Sequence, residues 1–169
     1  MISTKMQDAI NDQINYEIYS AYIYLSMSAY YQSINLPGFA NWMHIQAQEE
    51  MFHAMKFYGF INERGGRVKL TTIAGPETEW ENPLAPFKDA LEHEEKVTTR
   101  INNLVNMAIE ERDHASNIFL QWFITEQVEE EANAEAIIRQ LILIGNDKSA
   151  LFMIDRELGA RVYTPPTTV

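Results

Sequence analysis

The chain has 169 residues, 46% of them hydrophobic, so it can bury a substantial core and is too apolar to be disordered. Its net charge of −11 argues against nucleic acid and anionic membranes as partners and favours cations. The absence of cysteine excludes disulfides, thiolate metal sites and a cysteine nucleophile. Residues 1–8 contain no apolar signal-peptide core and no later stretch approaches a transmembrane length, so we expect one cytoplasmic domain spanning residues 1–169.

The first predicted helix covers residues 4–34. Thr4-Lys5-Met6-Gln7 matches a capping box, which predicts that the helix begins there. Residues 35–38 should end it, with Pro37 suited to the first turn of the next helix. Its inward stripe consists of Ile10, Ile14, Glu17, Ala21, Tyr24, Ser28 and Tyr31.

The second predicted helix covers residues 38–64 and ends at Gly65-Gly66. Its stripe has the spacing of a helix packed into a bundle: Phe39, Met43, Gln46, Glu50, His53, Phe57 and Phe60. Glu50 and His53 lie three residues apart on this buried face. An ionised glutamate there is costly unless a neighbouring charge compensates it, and a metal ion would do so.

The segment of residues 67–82 lacks helical periodicity and contains Gly75-Pro76 and Asn82-Pro83, so it predicts an extended link. Fully extended, about 16 residues reach roughly 50 Å. Such a link could run the full length of a bundle whose helices are each roughly 40–45 Å long.

The third and fourth predicted helices, residues 83–112 and 116–144, are not separated by glycine or proline. We nevertheless expect a turn near Asp113 to Ser116, because both residues are good N-caps and the two stripes are one residue out of phase. The third stripe consists of Leu84, Phe87, Leu91, Glu94, Thr98, Ile101, Val105 and Ala108. The fourth consists of Leu120, Phe123, Gln127, Glu130, Ala134, Ile137, Leu141 and Ile144.

After Gly145, Asn146-Asp147 predicts the start of a short fifth helix over residues 147–159, followed by a frayed or surface-bound tail at 160–169. Short turns produce antiparallel neighbours, while the long link lets the second and third helices run parallel. The predicted fold is therefore all-α. It is a four-helix bundle with a long crossover between helices 2 and 3 and a short fifth helix at the C-terminus.

Polar residues interrupt all four apolar stripes at a similar height. When height along the bundle is counted from the first turn, Glu17 lies within about one helical turn of the height of Glu50 and His53. Counted from the second turn, Glu94 matches Gln127 and Glu130 to within about two turns. One glutamate or histidine on a stripe is usually structural, but four helices with acids near mid-bundle indicate a shared site.

A metal site is the interpretation that these residues favour. Two carboxylates about 5 Å apart repel by roughly 3 kcal/mol at an effective dielectric of 20, and four would repel several times more. Protonation could relieve this repulsion, and so could a pair of divalent cations. Oxygen ligands with one or two imidazoles suit iron better than zinc or copper.

On these residues the chain resembles the bacterial non-haem ferritins over essentially its whole length. Glu with Glu-x-x-His is the established ligand pattern of that superfamily of bundles. The resemblance implies that Glu17 and Glu94 are terminal ligands, that Glu50 bridges two irons and that His53 binds the first iron. It also implies that Gln127 and Glu130 lie at the second iron. The remaining assignments are Tyr24 and Trp122 beside the dinuclear centre, and Glu49, Glu126 and Glu129 at a third iron site.

The resemblance further implies an iron store that is also a ferroxidase. Fe(II) would be oxidised by O₂ or H₂O₂ at the dinuclear centre, and ferric mineral would collect inside a homo-oligomeric 24-mer shell. The short fifth helix would lie at the four-fold axes. Nucleic acid and membranes are not expected partners.

Two alternatives remain beside this interpretation. A haem-containing bacterioferritin is similar at Met51, which follows Glu50 where that family has its haem ligand. Bacterioferritins, rubrerythrin-like peroxidases and diiron oxygenases also have a second Glu-x-x-His, and here Gln127-Val128-Glu129-Glu130 lacks the histidine. Haem is therefore not expected. A structural helical bundle without metal is the other class, and it predicts no iron in the purified protein.

Two further groups of residues complete the sequence-based expectations. His44, His93 and His114 lie off the predicted stripes and should be solvated. Animal ferritins line a three-fold channel with acids near the start of the fourth helix. The corresponding residues here are Asn117, Leu120 and Gln121, so the sequence does not support that route of iron entry.

Overall fold

The computed structural model describes residues 1–165, and this part contains five α-helices and no β-strand. The helices are α1 (Thr4–Ser33), α2 (Pro37–Glu63), α3 (Ala85–Glu110), α4 (His114–Ile144) and α5 (Lys148–Leu158). The predicted all-α fold, a four-helix bundle with a short C-terminal helix, is confirmed. The last four residues of the predicted tail, 166–169, lie outside the described part.

The helix ends follow from local capping chemistry, with one correction. The N-cap of α1 is Ser3, whose side chain accepts a hydrogen bond from the Met6 backbone N–H, so the predicted capping box at Thr4 was one residue late. An N-cap side chain usually accepts a hydrogen bond from the backbone N–H two or three residues later, and Met6 is three residues after Ser3. Asp113 caps α4 in the same way by accepting from the Ser116 N–H, which produces the turn between α3 and α4.

The helices pack as two antiparallel hairpins, α1 with α2 and α3 with α4, and α5 contacts α2 and α4. The link between α2 and α3 is extended and runs along α1. Five α1 side chains hydrogen-bond to its backbone, in order along both segments: Gln7 to Arg67, Asn11 to Arg67 and Lys69, Asn15 to Thr72, Ser26 to Glu77 and Tyr31 to Pro83. The link therefore covers most of the length of α1. In residues 1–165 no helix is both long and apolar enough to cross a membrane.

The apolar core is divided into two clusters. One is rich in aromatic residues and includes Tyr31, Phe39 and Phe87. The other lies towards the opposite end of the helices and includes Ile10 and Phe57. Most of the predicted polar seam residues fall between these clusters along each helix, so a charge there is shielded from water and costly to keep.

His93 is buried, with 6% of its surface exposed, so the prediction that it is solvated was wrong. The buried face of α3 runs through Ala90 and Val97 rather than Leu91 and Thr98, which turns His93 inwards. Its Nε2 lies 2.7 Å from Ser20 Oγ, and its ring stacks on Tyr16 at 5.2 Å. Burial, with smaller effects from Lys96 and Arg100, lowers the pKa of His93 to about 4.

Candidate metal centre

The predicted seam residues meet in one buried layer of the bundle. α1 supplies Glu17, α2 supplies Glu50 and His53, and α3 supplies Glu94. α4 supplies a further amide and a carboxylate, Gln127 and Glu130. None of the six exposes more than 4% of its surface.

His53 lies between two groups of potential ligands. Glu17, Glu50 and His53 each offer a ligand atom within 4.8 Å of the others, and so do His53, Glu126 and Glu130. Nδ1 of His53 is 3.7 Å from Glu50 Oε2, and Nε2 is 3.8 Å from Glu126 Oε1. These distances exceed hydrogen-bond range and leave room for an ion between the partners.

Several polar atoms of this layer have no hydrogen-bond partner. Among the buried side chains of residues 1–165, these atoms are Glu17 Oε2, Glu50 Oε1, Glu50 Oε2 and His53 Nε2. An unsatisfied polar atom in a protein interior is rare and costly, and four of them close together point to ligands bound within this layer. Carboxylate oxygens with an imidazole form a donor set that fits iron.

Glu94 differs from Glu50, because hydrogen bonds fix both of its oxygens. Tyr24 Oη donates to Oε1 at 2.5 Å, and Gln127 Nε2 donates to Oε2 at 3.0 Å. Burial, then the carboxylates of Glu94, Glu50 and Glu130, raise the pKa of Tyr24 well above its ordinary value. The phenol therefore stays protonated and continues to donate to Glu94.

Burial governs the protonation of the carboxyl groups. It raises the pKa of Glu50 well above the ordinary value, raises that of Glu94, and raises that of Glu130 to about 8. For His53, burial alone would lower the pKa, but the nearby carboxylates, Glu50 foremost, reverse this and raise it well above the usual range. The layer without a metal thus retains protons that a bound divalent cation would displace.

The metal-free protein is expected to lose stability as the pH rises from about 4.5 to about 8. The pKa of Glu130 is raised from 4.5 to about 8 in the folded state. The folded chain therefore binds more protons than the unfolded chain in this window, and the free energy of unfolding falls as the pH increases. The raised pKa values of Glu50, Glu94 and His53 act in the same direction. The lowered pKa of His93 opposes them below about pH 6.5, but it is one group against three carboxyls.

Thermal unfolding of chelator-treated protein across this pH range would measure the effect. Zn²⁺ should weaken or reverse the trend, because the folded state then binds deprotonated carboxylates. A metal-free stability that rises with pH would contradict the prediction.

The residues predicted for a third site are only partly brought together. Glu126 joins His53 and Glu130, while Glu49 is partly buried and accepts a hydrogen bond from Arg161 Nη2 at 2.7 Å. Glu129 is exposed and belongs to neither ligand group in the part of the chain that the structure describes.

Trp122 on α4 and Met51 on α2 are two further candidate neighbours of the site, and the structure places only Trp122 against it. The indole of Trp122 faces His53 edge-on, with ring centroids 5.4 Å apart. Met51 lies on the outer side of α2 with 42% of its surface exposed. It therefore points away from the buried layer, although Glu50 beside it points in.

Two glutamines also touch this layer, and the sequence interpretation did not place them in the site. Gln13 Nε2 donates to Glu17 Oε1 at 2.8 Å, and Gln46 Nε2 donates to Glu130 Oε2 at 2.7 Å. Gln46 lay on the predicted stripe of the second helix. Gln13 lies one helical turn before Glu17, a spacing that brings two side chains together. Both signals were available in the sequence.

The comparisons with known proteins all lead to one family. A family profile described as a ferritin-like domain matches residues 7–144. Bacterial non-heme ferritins of Staphylococcus aureus and Staphylococcus haemolyticus are 41% and 42% identical, each over 96% of this chain and 98% of the relative.

Solved structures show the same similarity at higher identity. The open-pore ferritin of the archaeon Archaeoglobus fulgidus is 56% identical, with a TM-score of 0.95 over 96% of this chain and all of that one. A closed form of the same ferritin, engineered by mutagenesis, is 55% identical, with a TM-score of 0.96 over 97% of this chain and all of that one.

Proposed function

Because this chain belongs to the ferritin family, we propose that it stores iron and oxidises Fe(II) at a dinuclear centre inside each four-helix bundle. The observation that best supports the proposal is the set of four unpartnered ligand atoms on Glu17, Glu50 and His53. They lie in a buried layer to which all four long helices contribute.

In this proposal the two iron ions are substrates held by different parts of the layer. Glu17, Glu50 and His53 would bind the first, and Glu94 with Glu130 the second. Glu50 would bridge them, since both its oxygens are buried and without a hydrogen-bond partner. Gln127 would act by holding Glu94, to which it donates a hydrogen bond.

The reaction needs two electrons, and two Fe(II) ions supply one each. With H₂O₂ as oxidant, the O–O bond breaks and two hydroxide ions form. With O₂, two electrons and two protons yield H₂O₂. The protein binds the two ions close together, so that a two-electron acceptor can be reduced at one place. The aromatic and aliphatic clusters on either side keep bulk water from the layer.

The product Fe(III) would hydrolyse, release protons and collect as mineral in a shell of 24 copies. The exposed apolar side chains of α5 support an assembly of this kind. Phe152 exposes 62% of its surface and Met153 71%, and contacts between copies would cover them. Glu49, Glu126 and Glu129 would bind a third iron next to the dinuclear centre.

Gel filtration, metal analysis and absorption spectroscopy on the purified protein test this function. A 24-mer of 19.5 kDa chains would elute at about half a megadalton. Added Fe(II) should be taken up at two or more ions per chain, with no Soret band. A Soret band would indicate a bacterioferritin with Met51 as haem ligand. A particle that binds no ferrous ion would indicate a structural bundle.

A further inference from the structure

Two arginines orient the glutamines that hold the site carboxylates. Arg161 Nη1 donates to Gln46 Oε1 at 2.6 Å, and Gln46 Nε2 donates to Glu130. Across the bundle, Arg100 Nε donates to Gln13 Oε1 at 2.9 Å, and Gln13 Nε2 donates to Glu17. Each chain of contacts is thus arginine, glutamine, glutamate.

The arginine decides which way the amide points. A glutamine side chain has one oxygen that accepts and one NH₂ that donates, and the two ends have nearly the same shape. An arginine can only donate, so it binds the oxygen and turns the NH₂ towards the carboxylate. Without Arg161, the amide of Gln46 could present its oxygen to Glu130 and repel it.

The two arginines differ in what their second nitrogen binds. Arg100 Nη2 binds Asp12, a mostly exposed carboxylate with no role in the layer. Arg161 Nη2 binds Glu49 at 2.7 Å, in a pair whose side chains are 25% and 17% exposed. Arg161 therefore occupies a carboxylate assigned to the third iron, and Arg100 does not contact one.

Arg161 reaches this position because the chain after α5 is fixed to α2. Its backbone oxygen accepts from Asn41 Nδ2 at 3.0 Å, and its guanidinium lies 4.9 Å from the ring centroid of Trp42. Asn41 also donates to the Leu158 oxygen at 3.3 Å. These contacts fix the guanidinium beside the layer, where it is a fixed positive charge.

We propose that Arg161 is a positioning residue that holds Glu49 directly and Glu130 through Gln46, and that its guanidinium competes with a third cation for Glu49. The inference rests on the proposed function, since it concerns the order in which cations fill the site. The guanidinium lowers the negative charge that Glu49 offers and repels a cation bound beside it, so Arg161 makes the third ion bind more weakly.

Calorimetric titration of the metal-free assembled protein with Co²⁺, which air does not oxidise at this kind of site, tests the proposal without an activity assay. The wild type should bind two ions tightly and a third more weakly. In Arg161→Gln the third dissociation constant should fall about ten-fold, because a partly buried, charge-assisted pair no longer competes. One of the first two should bind more weakly, as in an Arg100→Gln variant, because Gln46 is no longer oriented towards Glu130.

Arg100→Gln is the matched control, because it breaks the equivalent relay without freeing a third-site carboxylate. It should weaken one of the first two ions and leave the third within about two-fold. Arg161→Lys keeps a charge but only one compact donor group, so its third dissociation constant should fall by about three-fold. If Arg161→Gln does not assemble, the Co²⁺ titration of Arg161→Lys tests the proposal instead.

A third affinity that is unchanged or weakened in the Arg161 variants would overturn the proposal, and Arg161 would then only anchor the C-terminal segment. A different result would contradict the proposed function. In that case the wild type itself would bind no pair of Co²⁺ ions, whatever residue stands at position 161.

Discussion

The double variant Glu50→Ala with His53→Ala should lose rapid Fe(II) oxidation by more than about 100-fold. Removing one residue that only supports a metal ligand typically costs 10- to 100-fold in affinity or activity, and this variant removes two proposed ligands. It also removes three of the four buried ligand atoms that lack a partner. Stopped-flow absorbance after Fe(II) is mixed with aerobic protein measures the loss.

The matched control replaces the same residue types on the exposed face of α2. Glu63→Ala with His44→Ala removes a glutamate and a histidine that are both exposed. This control should oxidise Fe(II) within about two-fold of the wild-type rate, since exposed substitutions rarely perturb a distant site. Unchanged fast kinetics in the Glu50 and His53 variant would refute the site assignment.

The same double variant should make the metal-free protein more stable. Glu50 is a buried carboxyl whose two oxygens have no hydrogen-bond partner, and burial of such a group opposes folding. Its truncation removes this cost but leaves a cavity, so we expect a modest net increase in unfolding temperature near neutral pH. An intact shell with higher stability and no fast oxidation would separate lost chemistry from lost folding.

Gly38→Ala should destabilise the protein by at least about 3 kcal/mol and detach α5 from α2. A Cβ at position 38 would lie 1.6 Å from the backbone oxygen of Asp155 in α5. Asp155 Oδ1 also accepts from the N–H groups of Gly38 and Phe39, at 2.8 and 3.1 Å. The clash involves backbone atoms, so no rotation of a side chain can relieve it.

Gly59→Ala is the control for this change, because it adds the same methyl group to the same helix. A Cβ at Gly59 has no neighbour within 4 Å. Alanine there should stabilise α2 by about 0.5–1 kcal/mol through its higher helix propensity. Chemical unfolding followed by circular dichroism compares the two variants. Equal stability of both would show that α5 does not need close contact at Gly38.

The helices could be predicted because helix formation is largely a local matter. Apolar residues recur every three or four positions, and capping or breaking residues such as Asp113 and Gly145 mark the ends. α5 was predicted from its Asp147 N-cap, whose side chain accepts from Ser149 and Ala150. Periodicity gave less information at the edges of a stripe, which is why His93 was assigned to the wrong face.

The candidate site could be predicted because its residues interrupt stripes that are otherwise apolar. The interrupting residues are Glu17, Glu50, His53, Glu94 and Glu130. Their heights match along the two hairpins, which predicts that they lie in one layer. Their role as iron ligands stays a prediction. The sequence offered signals for Gln13 and Gln46. It did not, however, indicate that Arg100 and Arg161 orient these glutamines, because each arginine lies far from its glutamine along the chain.

By itself, the sequence determined five helices, a long crossover and a layer of acids within an apolar bundle. The helices follow from residue spacing, the crossover from the loss of that spacing, and the layer from matching heights along the two hairpins. Only the tertiary structure decided how distant segments complete one another. The N-terminus of α2 has no side-chain cap of its own and is capped by Asp155 from α5. Likewise, Arg161 reaches Gln46 and Glu49 from beyond α5. Such contacts join residues more than a hundred positions apart, and no local pattern records them because neither partner constrains the sequence near the other.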